Sequence, residues 1–114
     1  MKEIKAYIKP HKLSGVTLAL HHVEGLTGMS VSEVKGFGRG REKDAPHSVQ
    51  EELIDYIPHV KIEIVCHDEL VEEIIETIRG AAHTGLRGDG KIYVLSHVEK
   101  AVRISTGERG EAAV

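Results

Sequence analysis

The segment from His59 to His67 alternates between apolar and polar residues more regularly than any other part of the chain. Its apolar positions are Val60, Ile62, Ile64 and Cys66, and the intervening positions are charged or histidine except for Val65. Successive side chains of a strand point to opposite faces of its sheet. The pattern therefore predicts an antiparallel sheet with one face on the core and one polar face.

Patterns in the rest of the chain predict further strands and two helices. Alternation or β-branched content predicts strands at residues 2–9, 29–35 and 91–98. Apolar residues at helical spacing predict helices at 11–24 and from 68 to about 82. Asp68 is expected to cap the second helix, and Gly25 is expected to end the first. Residues 102–105 are predicted to be a short edge strand, followed by a polar tail at 106–114.

The order of these elements is β-α-β-loop-β-α-β, which is the pattern of the ferredoxin-like fold. Right-handed crossovers would place both helices on one face of a four-stranded antiparallel sheet. The predicted class is therefore α+β, with the opposite face of the sheet either wet or packed against other subunits.

Length and charge limit what such a chain can do. At 114 residues it forms one domain, and a net charge of −3 argues against binding nucleic acid by neutralising phosphates. Cys66 is the only cysteine, which excludes an intrachain disulfide and fits a reducing compartment. No signal-peptide pattern and no apolar run of bilayer length is present, so a cytoplasmic protein is expected.

The connection from Gly36 to Pro58 is unusually long for so small a domain. Structureless connections longer than about 12–15 residues are usually lids, binding loops or disordered segments. The sequence therefore suggests a rigid platform that carries one long loop, and this loop would contact a partner.

Two glycine-rich segments could hold an anion. Glycines at the end of a strand, as in residues 36–40, let backbone N–H groups approach an anion closely, although a flexible hinge gives the same pattern. Residues 88–91, Gly-Asp-Gly-Lys, could cradle a phosphate or form a type I′ hairpin turn. Lys91, Arg103 and Arg109 could together neutralise a polyphosphate, or could be solvated surface residues.

The remaining reactive side chains do not form a recognisable catalytic or metal-binding motif. The histidines are at positions 11, 21, 22, 47, 59, 67, 83 and 97, and none has a second ligand at chelating spacing. Surface or packing roles are favoured for them, and metal binding remains the alternative. Cys66 lies on the predicted core face, which indicates a buried, inert thiol. No nucleophile-base pair or carboxylate pair stands out, so the chain is not expected to be an enzyme.

Five stretches together resemble the PII signal-transduction family, the nitrogen regulatory proteins. They are Ile8-Lys9-Pro10 with Lys12-Leu13; Thr27-Gly28-Met29; Glu33 to Arg39; Gly85 with Gly88 to Ile92; and Arg103-Ile104 with Thr106 to Glu111. The resemblance extends over nearly the whole chain, and the combination of motifs is specific although each one alone is weak.

The resemblance implies a homotrimer that binds ATP or ADP in clefts between subunits, with AMP as a further candidate ligand and the need for Mg²⁺ left open. It also implies a protruding T-loop, here about residues 38–57, that docks on a membrane transporter or an enzyme. The nucleotide contacts would fall on Gly28, Met29, Ser30, Gly36, Phe37, Gly38, Arg39, Glu63, Ile64, Val65, Gly88, Asp89, Gly90, Lys91 and Arg103.

Several positions depart from the family pattern. Gly40 and His59 replace a usual glutamine and lysine that help to hold Mg-ATP and 2-oxoglutarate, so a 2-oxoglutarate response is not expected. Ser105 replaces a second phosphate-binding arginine, which should weaken ATP more than ADP or AMP. Glu52 replaces the tyrosine that is uridylylated in many members, and Ser48 replaces the arginine that plugs ammonium channels.

The resulting hypothesis is a regulator that binds an adenine nucleotide and controls a partner through its loop. The alternative is a metal- or anion-responsive module of the same fold, linked to transport, that has lost tight nucleotide binding.

Overall fold

The computed structural model describes residues 1–36 and 57–114. Its elements in chain order are strand β1 (Lys2–Ile8), helix α1 (Leu13–His21), strands β2 (Ser30–Gly36) and β3 (Ile57–Cys66), helix α2 (Val71–Ala82) and strand β4 (Lys91–Ser96). Short 3₁₀ turns lie at Pro10–Lys12, Asp68–Leu70 and Gly110–Ala113. In this part of the chain no helix is long and apolar enough to cross a bilayer.

The four strands form one antiparallel sheet in the order β2-β3-β1-β4. The register places Ile4 opposite Ile64 and opposite Val94, so apolar positions of neighbouring strands share a face. Both helices pack on this face, because buried residues of α1 and α2 join those of β1 and β3 in one core cluster. The predicted ferredoxin-like βαββαβ arrangement is therefore confirmed.

The core is aliphatic and is formed by the residues that the periodicity identifies. Its fully buried large members are Ile4, Ile8, Ile62, Ile64, Ile74, Ile78, Val16 and Cys66. Burying one such isoleucine stabilises the fold by roughly 1.5–3 kcal/mol, so these side chains dominate its stability.

The start of α2 differs from the prediction. The chain enters this helix through a 3₁₀ turn, and no side chain caps that turn or the helix. The Asp68 carboxylate instead accepts a hydrogen bond from the ammonium of Met1 at 2.8 Å and pairs with Lys2 at 3.4 Å. Two cations attract this carboxylate more strongly than the uncharged amides of the first helical turn.

The C-terminal part also differs from the prediction. Residues 102–105 are not a strand, because Val102 makes only an isolated bridge with Arg109. A turn at Gly107 closes this bridge, and the Arg103 amide donates to the Glu108 carbonyl at 2.9 Å. The tail is ordered after this turn, and Gly110 donates to the Ala101 carbonyl at 3.0 Å.

Candidate functional site

The face of the sheet opposite the helices is polar and carries two clefts. Its side chains come from alternate positions of all four strands, among them Lys5, Tyr7, Val34, His59, Lys61, Glu63, Lys91 and Tyr93. Lys61 and Glu63 form an ion pair at 3.2 Å, and the Tyr7 and Tyr93 rings meet edge to face with centroids 6.1 Å apart.

The first cleft, here called the lysine cleft, has a volume of about 630 Å³. Its lining consists of Lys5, Tyr7, Val34, Lys35, Gly36, His59, Gly90, Lys91, Tyr93 and Leu95. Within the described part of the chain, this lining contains lysines and a histidine but no carboxylate. The cleft therefore favours an anion, and Gly36, Gly90 and Lys91 are the predicted nucleotide residues that it brings together.

The glycine turn beside this cleft has a conformation and packing that require glycine. Gly90 has a φ of 98°, and a Cβ at this position would lie 1.7 Å from the Tyr7 carbonyl oxygen. Gly88 is also left-handed, with a φ of 81°. The turn joins α2 to β4, so the alternative of a β-hairpin for residues 88–91 is wrong. Gly90 lets the turn lie directly on the backbone of β1.

The side chain of Asp89 holds this turn in place. Its carboxylate accepts hydrogen bonds from the Thr84 amide at 2.9 Å and from the Thr84 hydroxyl. Lys9 pairs with the carboxylate at 3.3 Å and also donates to the Thr84 hydroxyl at 3.2 Å. The two hydrogen bonds from Thr84, reinforced by Lys9, hold the pKa of Asp89 well below its usual range. Asp89 therefore acts as a support for the turn.

His59 connects the same turn to the beginning of β3. Its Nε2 lies 3.2 Å from the Gly88 carbonyl oxygen, and its Nδ1 lies 3.3 Å from the Ile57 carbonyl oxygen. The half-buried ring is thus engaged by backbone on both sides.

The second cleft, here called the tail cleft, has a volume of about 660 Å³. Five predicted nucleotide residues line it, namely Gly28, Met29, Ser30, Glu63 and Val65. Its other lining residues are Glu3, Thr27, Val98, Lys100, Ala101, Val102, Ala113 and Val114. Sequence reasoning missed the contribution of the C-terminal segment, because residues 98–114 have no periodic pattern that would place them against the sheet.

Charged contacts hold this C-terminal segment against the start of the chain. The Met1 ammonium lies 3.3 Å from Glu111, and Nδ1 of His67 lies 2.6 Å from the other oxygen of the same carboxylate. The hydrogen bond with His67 is the main reason that the pKa of Glu111 is lowered. The hydrogen bond to Asp68 is the main reason that the pKa of the Met1 ammonium is raised.

The other predicted nucleotide residues lie elsewhere or are not described. The Ile64 side chain is buried in the core, so only its backbone could meet a ligand. Arg103 lines neither cleft and pairs with Glu108 at 3.5 Å, while its neighbour Val102 lines the tail cleft. Phe37, Gly38 and Arg39, with most of the predicted T-loop, lie outside the described residues. Within one chain, Lys91 and Arg103 therefore do not share a cleft.

The remaining candidates for chemistry are the Cys66 thiol and the possible metal ligands. Cys66 is buried, as predicted, and burial raises the pKa of its thiol. Across residues 1–36 and 57–114, no group of three histidine, cysteine or acidic side chains is placed to hold a metal ion.

Comparison with known proteins gives consistent matches. The family model described as Nitrogen regulatory protein P-II matches residues 1–108. The chain is 52% identical to the Nitrogen regulatory protein P-II of Azospirillum brasilense over 114 residues, which is the full length of both. It is 48% identical to the Nitrogen regulatory protein P-II 1 of Escherichia coli (strain K12), also over full length. A crystal structure of Arabidopsis thaliana PII bound to citrate matches with a TM-score of 0.80 at 38% identity, covering 99% of this chain and 91% of that one.

Proposed function

Since the chain belongs to the nitrogen regulatory protein P-II family, we propose that it is a homotrimeric regulator that binds ADP or ATP between its subunits. Proteins of this family are signal-transduction regulators and not enzymes, which confirms the corresponding expectation. The nucleotide would control a partner transporter or enzyme through residues 38–57. Residues 1–114 would act as a single domain in the cytoplasm.

The observation that carries this proposal is the lysine cleft. Lys5, Lys35 and Lys91 line it together with Gly36 and Gly90. A polyphosphate is the biological anion best matched to several ammonium groups beside glycine backbone, because it has several charged oxygens to accept hydrogen bonds. Each hydrogen bond to a charged group contributes roughly 1.5–3 kcal/mol.

The separation of the predicted contacts supports binding between subunits. Gly28 and Val65 line the tail cleft, Lys91 lines the lysine cleft, and Arg103 lies outside both. A ligand held between two copies of the chain could contact the tail cleft of one copy and the lysine cleft of the other. Tyr93 and Leu95 of β4 are exposed apolar side chains that line the lysine cleft, and a neighbouring subunit packed beside them would place this cleft between subunits.

The substitutions at the phosphate end support a preference for shorter phosphate chains and no 2-oxoglutarate response. His59 stands where the family has a lysine, and both of its ring nitrogens are already beside backbone carbonyls. Its side chain is therefore less available than a lysine to a carboxylate or a terminal phosphate. Ser105 is exposed and carries no charge, which removes one further cation.

Isothermal titration calorimetry with ADP, ATP and AMP tests this proposal. Lys91→Ala and Arg103→Ala should each weaken ADP binding by roughly ten- to a hundredfold, as expected for one charge-assisted hydrogen bond. Arg79→Ala is the matched control, because Arg79 is an exposed cation on α2 that lines neither cleft. Unchanged ADP affinity in both test variants would contradict the phosphate site.

Titration with Zn²⁺ addresses the alternative. Binding of Zn²⁺ without any heat from a nucleotide would favour a metal-responsive module. Restoring Gly40→Gln, His59→Lys and Ser105→Arg together should raise ATP affinity, and no increase would contradict the explanation given for these departures.

A further inference from the structure

The two ring nitrogens of His59 both face backbone carbonyl oxygens. Nε2 is 3.2 Å from the Gly88 oxygen and Nδ1 is 3.3 Å from the Ile57 oxygen. A neutral imidazole has one N–H and can donate to only one of these acceptors, which leaves a ring lone pair facing the other. The imidazolium ion has two N–H groups and can donate to both.

The charged side chains that surround His59 in the cleft are mostly lysines. Lys5 and Tyr7 face the cleft from β1, and Lys91 and Tyr93 face it from β4, while Lys35 of β2 also lines it. Lys5 is paired with Glu3 at 3.6 Å. On β3 itself, Lys61 is paired with Glu63. In the adjoining turn the Asp89 carboxylate is engaged by Thr84 and Lys9. A further positive charge on His59 would therefore meet lysines without a free carboxylate among these groups.

An anion in the lysine cleft would reverse this balance. Its negative charge would offset the lysines and attract the imidazolium, and the two carbonyls would then accept both N–H groups. Histidine is the side chain whose charge is most readily changed near neutral pH, so it is suited to respond to such an anion.

We propose that binding of a phosphate-bearing ligand in the lysine cleft is coupled to protonation of His59. The protein would then respond to pH as well as to the nucleotide. Protonation would also strengthen the connection between Ile57, at the start of β3, and the Gly88 turn. This inference rests on the proposed function, because the anion it requires is the phosphate end of the nucleotide.

Calorimetry at fixed pH in two phosphate-free buffers of different ionisation enthalpy measures the protons taken up with ADP. Terminal phosphates themselves titrate near pH 6, so the relevant quantity is the difference between the wild type and His59→Gln. A glutamine amide can still donate to the Gly88 carbonyl but cannot gain a charge. His22→Gln is the matched control, since His22 is exposed and lines neither cleft.

The wild type and His22→Gln should take up more protons per ADP than His59→Gln. From about pH 6 to about pH 8 their ADP affinity should fall by up to about tenfold more than that of His59→Gln. NMR spectra at a series of pH values follow the protonation of each histidine, and the signal of His59 is the one that His59→Gln lacks. Sulfate, which does not titrate in this range, should move the titration curve of this signal toward higher pH.

Failure of this inference and failure of the proposed function would give different results. Equal proton uptake and equal pH dependence in the wild type and His59→Gln would overturn the coupling while ADP binding itself remained. Absence of ADP binding at both pH values would overturn the proposed function and this inference together.

Discussion

Replacement of Gly90 by alanine tests how the glycine turn is built onto the sheet. An added Cβ would lie 1.7 Å from the Tyr7 carbonyl oxygen, half the 3.4 Å at which ordinary van der Waals contact begins. The obstacle is backbone of β1, so it cannot move aside as a flexible side chain could. The turn itself must therefore shift away from the sheet.

The expected cost has two parts. A left-handed backbone costs a residue with a Cβ roughly 1–2 kcal/mol. The shift also disturbs the adjoining pair of Tyr7 and Lys91, where each lost hydrogen bond costs roughly 0.5–1.5 kcal/mol. With up to two such bonds lost from this pair, Gly90→Ala should destabilise the fold by about 2–5 kcal/mol, and the upper part of this range is exceptionally large for one substitution.

Gly85 provides a matched control in the same connection. Its φ of 79° is also left-handed, but no atom lies within 4 Å of the position of an added Cβ. Gly85→Ala should therefore cost only the conformational part, about 1–2 kcal/mol. The difference between the two variants isolates the steric part.

Equilibrium unfolding in urea at one fixed protomer concentration measures both variants, because the stability of an oligomer depends on concentration. The free energy of unfolding of Gly90→Ala should lie about 1–3 kcal/mol below that of Gly85→Ala. Equal free energies of unfolding would show that the turn does not rest on the β1 backbone.

Three further predictions concern ionisable groups. The lowered pKa of Asp89 means that its contribution to stability is present above its ordinary titration range and is lost on acidification. The difference in unfolding free energy between the wild type and Asp89→Asn should therefore shrink from about pH 5 to about pH 2, and a constant difference would contradict this. Because burial raises the pKa of the Cys66 thiol, native protein should react with a disulfide reagent far more slowly than urea-unfolded protein, and equal rates would contradict its burial. Glu111→Gln should speed amide hydrogen exchange at residues 110–114 and leave α2 unchanged, since the carboxylate joins the tail to Met1 and His67, and unchanged exchange would contradict that link.

Much of the fold could be predicted because its signals are local. Apolar alternation at residues 60–66 identifies β3, and the helical spacing from Val71 to Ile78 identifies the buried stripe of α2. These patterns depend only on the geometry of one element, so neighbouring residues are sufficient to show them. The ferredoxin-like arrangement then follows from the order of these strands and helices along the chain.

The features that escaped prediction depend on contacts between distant parts of the chain. The sequence predicts that Asp68 caps a helix, but the Met1 ammonium, far away in sequence, attracts its carboxylate. The C-terminal segment becomes ordered through Glu111 and the first residue in the same way.

The candidate site also combines features with a local sequence signal and features that depend on distant parts of the chain. The glycines of the turn at residues 88–90 were identified, whereas the reason that Gly90 must be glycine lies in the backbone of β1. The tail cleft is formed partly by Ala113 and Val114, which carry no chemical signal of a site.

Native mass spectrometry of the protein with ADP tests the central claim most directly, because it measures assembly and nucleotide binding together. We predict a species of three chains that carries ADP, with less ADP retained by Lys91→Ala. A single chain that retains no adenine nucleotide would contradict the account.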